Sequence, residues 1–325
     1  MRHCLKGATR IAMFLAAVCF VGATTACQKL LDLKKIGPAA VAKSENELLG
    51  QKLELYIDCL NSFDRSAQRS YEGYAKAVGK AGPGKNSSNL RYSFSASNDY
   101  TIDQCTEKLK KGLEVQPQVE ELDGSAQGYL SSMQKLSPVL KEANDYYKQE
   151  DYKDDNFVKG RELHGPLLAA FTEFEGASER MRAAVDKFDT QYKERSLAEI
   201  EQAEGRKLRY LSREMMVRAK QLLKAGDAPD VTAANLQPAL DAYSQSIEAA
   251  QNYFADHKDE TRNAACWTSV ESSAKNFLKE AKDKLRYLRE HNKPPPPQRS
   301  IIPGDRFIDT YNSLIMSSNI CLNML

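Results

Sequence analysis

From Leu53 to Leu288 the apolar residues recur every three or four positions, and that spacing fits amphipathic helices and little else. The clearest run is Leu163, Leu167, Phe171, Phe174, Met181, Val185, Phe188 and Tyr192. It keeps the period across some thirty residues, about 45 Å of helix at 1.5 Å per residue. Leu197, Ile200, Leu208, Leu211, Met215, Ala219 and Leu222 are expected to extend it to a stop at Gly226. Further stripes run through Leu53, Tyr56, Leu60, Phe63, Ala67, Tyr71, Tyr74 and Val78, and from Leu122 to Tyr147, with Pro138 expected to kink the second. A short helix is read on Ile102, Cys105, Leu109 and Leu113, and others run from Leu236 to Phe254 and from Trp267 to Leu288. The last carries Phe307, Tyr311, Leu314 and Ile315 and is expected to finish at Leu325. Ala, Lys, Leu, Glu and Gln dominate and β-branched residues are sparse, which agrees with helices. The predicted fold is all-α, an elongated multi-helix bundle with long amphipathic helices.

The breaks are as informative as the stripes. Residues 79–99 are rich in Gly, Pro, Asn and Ser and read as a long loop. Asp151–Asn156 interrupts the pattern, Asp227–Asp230 is a turn, and Pro294–Pro297 reads as a stiff linker.

The first 26 residues belong to a different kind of segment. Arg2, Lys6 and Arg10 precede an uncharged run from Ile11 to Ala23, followed by Thr24, Thr25, Ala26 and Cys27. A basic start, a short apolar stretch and small residues form a secretory signal, and the run falls short of the ~20 apolar residues a membrane span needs. Thr24-Thr25-Ala26-Cys27 resembles a bacterial lipobox, in which the cysteine thiol accepts a diacylglyceryl group; Thr24 stands where Leu is usual, so ordinary cleavage after Ala26 to a soluble periplasmic product is the alternative. Gln28, rather than Asp, follows the cysteine, which implies transfer to the outer membrane in an enterobacterial envelope. The expected organisation is a signal peptide over 1–26, a lipid-anchored tether over 27–46 containing Gly37-Pro38, and a helical periplasmic domain over 47–325.

Removing residues 1–26 takes away three basic and no acidic residues, so 46 basic against 44 acidic becomes 43 against 44, a net charge of −1. The charges alternate along helices, with no basic stripe of the kind that nucleic acid requires. Four cysteines remain beyond Cys27: Cys59, Cys105, Cys266 and Cys321. An even number in an oxidising compartment suggests two disulfides. Three connectivities are open; Cys59–Cys105 and Cys266–Cys321 are preferred because each ties neighbouring helices, and buried free thiols are the alternative.

A search for chemistry finds no H-E-x-x-H, C-x-x-C, phosphate loop or G-x-S-x-G, so no metal site, cofactor motif or catalytic set is read from the chain. Asp151–Asn156 lacks the turn glycine of an EF-hand and has Lys153 at a ligand position; an acidic helix start explains it better. Tyr56–Phe63 and Phe307–Leu314 share the pattern aromatic-Ile-Asp-x-x-Asn-Ser-apolar, which is either chance or the mark of equivalent places in a bundle.

Tyr146–Phe174 (YYKQEDYKDDNFVKGRELHGPLLAAFTEF) resembles the YiiG family of uncharacterised bacterial lipoproteins, as do the Y-I-x-x-x-N segment at Tyr56 and the Tyr311-Asn312 pair. The resemblance implies a helical envelope lipoprotein and brings no reaction with it. Tyr152, Asp154, Asp155, Asn156 and His164 then become candidates for a family-specific surface. Two functions are expected from all this. One is a non-enzymatic structural or interaction domain, partnered by the membrane through its lipid and by another envelope protein. The other is a ligand-binding protein or enzyme with its site near Tyr152–His164.

Overall fold

The computed structural model describes residues 44–79, 82–84, 87, 90, 93–258, 266–291 and 306–322. Cys27, the signal segment 1–26, the tether up to residue 43, Pro294–Pro297 and the last three residues lie outside them. The chain divides into two units after Leu48, and apart from residues 44–48 the architecture below is that of the second. Among the described residues the chain is a helical bundle without strands.

Helix α1 (Glu45–Cys59) begins on a capping box two residues earlier than the predicted boundary. The Ser44 hydroxyl accepts from Glu47 N–H at 3.1 Å and the Glu47 carboxylate accepts from Ser44 N–H at 3.0 Å. A π-helical turn (Leu60–Asp64) joins α1 to α2 (Arg65–Val78), so the first stripe is not one regular helix. The wider turn brings Phe63 and Asp64 to the interior together.

The remaining helices are α3 (Asp99–Glu114), α4 (Glu120–Lys148), α5 (Val158–Glu204), α6 (Leu208–Asp227), α7 (Ala233–Asp256), α8 (Trp267–His291) and α9 (Arg306–Leu322). Helix α4 runs unbroken through Pro138. Helix α5 has 47 residues, about 70 Å at 1.5 Å per residue. It stops short of the predicted end at Gly226. Gly205 adopts φ 76° and ψ −176°, a region open essentially to glycine, and α6 starts afresh at Leu208.

Two cores form along α5. The first holds Leu53, Tyr56, Phe63, Leu109, Tyr129, Met133, Leu167 and Phe174, and α4 packs along α5 over much of its length. The second gathers Leu197 and Ile200 of α5 with Met215, Leu222, Leu236, Tyr243, Phe277 and Leu314. The 79–99 segment is more than a surface loop: Leu90, Phe94 and Ala96 are buried in the first core, and Ala96 N–H donates to Ser70 Oγ at 3.1 Å. Leu90 and Phe94 supply apolar area that composition alone hides behind their polar neighbours.

Each core contains one cysteine pair at disulfide distance. Cys59 and Cys105 have Cα atoms 4.6 Å apart, and Cys266 and Cys321 5.2 Å apart. Both pairings are the preferred ones.

Candidate functional site

The segment from Tyr152 to His164 braces the α4–α5 junction. Tyr152 is buried and stacks on Phe157 with ring centroids 4.9 Å apart. Asn156 and Phe157 both lie in the left-handed region, at φ 49° and 64°, where they turn the chain into α5. Asp155 holds the start of that helix: Oδ2 accepts from Lys159 N–H at 2.8 Å and Oδ1 from the Tyr146 hydroxyl at 2.7 Å. Desolvation pushes its carboxyl up, but the Lys159 N–H and the Tyr146 hydroxyl outweigh this and hold it below its ordinary value. Asp154 is exposed and takes no part in this network.

His164 lies one face further along, half-buried, with Nδ1 2.7 Å from the Tyr74 hydroxyl. Burial pushes the Tyr74 hydroxyl well above its ordinary pKa, and Tyr147 adds to the effect. Tyr147 itself is pushed up to about 12 by burial, with the Asp155 charge contributing. The structure thus links Tyr152, Asp155 and Asn156 in one connector and joins His164 to Tyr74 instead. Burial thus makes Tyr74 and Tyr147 poor acids. Among the described residues no group of three His, Cys, Asp or Glu side chains could hold a metal ion.

Three buried polar networks are absent from the sequence reading. Lys52 is fully buried, with Nζ 2.7 Å from both carboxylate oxygens of Asp123. The same carboxylate accepts from the Tyr56 hydroxyl at 2.9 Å and from Val119 N–H at 2.8 Å, so it also starts α4. Asp64, on the π turn, accepts from the Ser178 hydroxyl and pairs with Arg182 at 2.8 Å.

The third network sits between α5, α6 and α9. Lys220 reaches Asp189 at 2.6 Å and Asp186 at 3.0 Å, Lys224 pairs with Asp186, and Lys193 with Asp189 at 2.8 Å. Burial raises the Asp189 carboxyl, but Lys193 and Lys220 outweigh it and leave the group below its ordinary value. Burial lowers Lys220, and its two aspartates more than reverse that.

These pairs fix the register. Residue numbers on α5 rise as those on α6 fall, since Arg218 continues the series with Glu194 at 3.2 Å. Helix α9 lies alongside α6: Phe307 covers Gly226, and burial raises the Tyr311 hydroxyl while Lys220 opposes the rise. The next turns of the three helices line a half-open cavity of about 280 Å³. It is lined by Tyr192, Lys193, Ser196 and Leu197 of α5, Arg213, Met216 and Val217 of α6, and Tyr311, Ile315, Ser318 and Asn319 of α9. Sequence periodicity marks Tyr192, Leu197, Tyr311 and Ile315 of this set but not Met216 or Val217, and the polar members have no spacing of their own.

A family model described as "Protein of unknown function (DUF3829)" matches residues 47–319, most of the chain. The chain belongs to that family. A relative is "Uncharacterized protein YiiG" of Escherichia coli (strain K12), 26% identical over 266 residues that cover 79% of this chain and 73% of the relative. It agrees with the family resemblance first read in Tyr146–Phe174. No solved structure matches.

Proposed function

We propose that this chain is an exported bacterial lipoprotein whose helical domain, tethered through Cys27, works in the cell envelope by binding rather than by catalysis. The observation that carries the reading is the approach of all four cysteines beyond Cys27 into two pairs at disulfide distance. A reducing cytosol would make nothing of such pairs, whereas an oxidising compartment turns each into a covalent staple. The apolar run Ile11–Ala23 and the small residues before Cys27 supply the export signal and the acyl acceptor. Gln28 favours the outer membrane, with the domain facing the periplasm. No helix among the described residues is long and apolar enough to cross a membrane, so attachment in this reading rests on the lipid.

The binding half of the proposal follows from how the polar groups are used. Asp155 starts a helix, Tyr152 packs a connector, and His164 is held by Tyr74. A ligand-binding role near Tyr152–His164 would need those same groups free. The α5–α6–α9 cavity is the better place for one.

The test is metabolic labelling with an alkyne-tagged palmitate in cells that make the full chain. The wild type is expected to carry label and to fractionate with the outer membrane, and Cys27→Ala to lose the label. Label that survives the substitution, or an unlabelled wild type left in the cytosol, overturns the proposal.

A further inference from the structure

The cavity between α5, α6 and α9 has one kind of polar lining. No acidic residue lines it. Of the basic side chains on α6, Arg209, Arg218, Lys220 and Lys224 each hold a carboxylate. Arg213 holds none among the described residues, although it is half-buried and faces the cavity. Leaving a guanidinium partly desolvated without an anion is costly, and its fork suits a carboxylate in two parallel hydrogen bonds. Ser318, 3% exposed, and Asn319 sit on α9 at the Arg213 level, and neither makes a protein hydrogen bond among the described residues. Most hydroxyls on these helices bond back to their own backbone, as Ser313 and Ser317 of α9 do.

The register orders the rest of the lining. From Arg213 to Lys220 is seven residues of α6, about 10 Å along the axis at 1.5 Å per residue. Between them lie Met216 and Val217, and Ile315 and Leu197 line the same cavity. At the far end stands Tyr311, beside the Lys220–Asp189 pair whose charges already satisfy one another. The site therefore has unpaired donors at one end, aliphatic walls along its length and a closed ionic floor. Its volume lies near the lower end of the ~300–1,000 Å³ range typical of small-molecule sites.

We propose that this cavity binds a small amphipathic carboxylate of medium acyl-chain length, with its head on Arg213, Ser318 and Asn319. Its chain lies against Val217, Met216, Ile315 and Leu197 and ends at Tyr311. The inference deepens the binding role proposed above but makes no use of Cys27, so a failure here leaves the labelling result standing, and the reverse.

The experiment is calorimetric titration of octanoate into the purified full chain, with protein-free buffer as the blank. The wild type is expected to bind one octanoate per chain, at least tenfold more tightly than octylammonium. Arg213→Gln should weaken octanoate at least tenfold without moving the melting temperature, and Arg213→Lys should recover part of the loss. Val217→Phe, which fills the cavity and leaves the charge alone, should abolish binding while Arg213 stays in place. Equal affinity for octanoate and octylammonium overturns the proposal. So does an Arg213→Gln variant that binds as the wild type does, or a wild type with no saturable binding.

Discussion

Lys52 shows what one side chain can hold together. Its ammonium is fully buried and is compensated by Asp123, which also receives Tyr56 and starts α4. Removing one member of such a pair strands the other charge, at a cost of about 3–5 kcal/mol. Lys52→Met is expected to lose that much in urea unfolding. Adding Asp123→Asn should return part of it, because the amide oxygen still accepts from Val119 while the stranded charge is gone. Asp189 makes a different prediction. Its carboxyl is held below its ordinary value by Lys193 and Lys220, so its contribution is present above pH ~3.9 and fades as pH falls through the folded value. Asp189→Asn should cost about 2 kcal/mol near neutrality, and the gap to wild type should narrow as pH falls below ~3.9. Residues were the least legible scale in the sequence. The cysteine pairing could be read because four thiols allow few partitions and helices keep near neighbours together. Lys52, Arg213 and Ser318 could not, because a charged or small polar residue beside an apolar stripe looks the same whether it faces water or the interior.

At the scale of elements, the period of the apolar residues located nearly every helix, and what it missed were the interruptions. Periodicity continues across Gly205 because α5 and α6 each keep an apolar face there; only three residues, from Gly205 to an extended Lys207, separate them. The eight-residue echo turned out to have a structural counterpart. Tyr56 and Phe307 are both buried, Asp58 and Asp309 both exposed, and Ser62 and Ser313 each bond back to the carbonyl of that aspartate at 2.9 Å. Each leading aromatic ring presses on a glycine near the end of another helix, Tyr56 on Gly112 of α3 and Phe307 on Gly226 of α6. The echo does not extend to matching polar partners: Asp58 pairs with Lys108 at 2.8 Å, and Asp309 makes no ion pair among the described residues. A methyl group at Gly226 would lie 2.5 Å from Phe307 Cε1. Gly226→Ala is therefore expected to destabilise the chain by about 1–3 kcal/mol through overpacking. Combining it with Phe307→Leu should cost less than the two changes summed, as read by chemical denaturation.

For the whole molecule, the bundle is two cores served by one helix, each with its own cysteine pair. The pairs close segments with sequence separations of 46 and 55 residues. In the chain-entropy account a bond across such a loop is worth about 4 kcal/mol. Cys266→Ala/Cys321→Ala is expected to lose that amount. Amide exchange should quicken mainly in α8 and α9, with α2 to α4 little changed. A phosphine reductant should do the same to the wild type wherever both pairs are oxidised. The class of fold could be read from the sequence because apolar periodicity announces nearly every helix. The division into two cores could not, since the boundary falls inside an uninterrupted helix.

That uninterrupted helix imposes a rule on how the chain can change length. Successive residues of an α-helix are rotated by about 100°, so one residue inserted in α5 between Asp189 and Leu197 turns everything beyond it by more than a quarter circle. Leu197 and Ile200 would swing out of the second core, while Phe171 and Phe174 stayed in the first. A surface loop absorbs an insertion locally; α5 passes it on at full amplitude. The helix therefore works as a phase standard for the two cores, and its residue count is as much a part of the fold as its sequence.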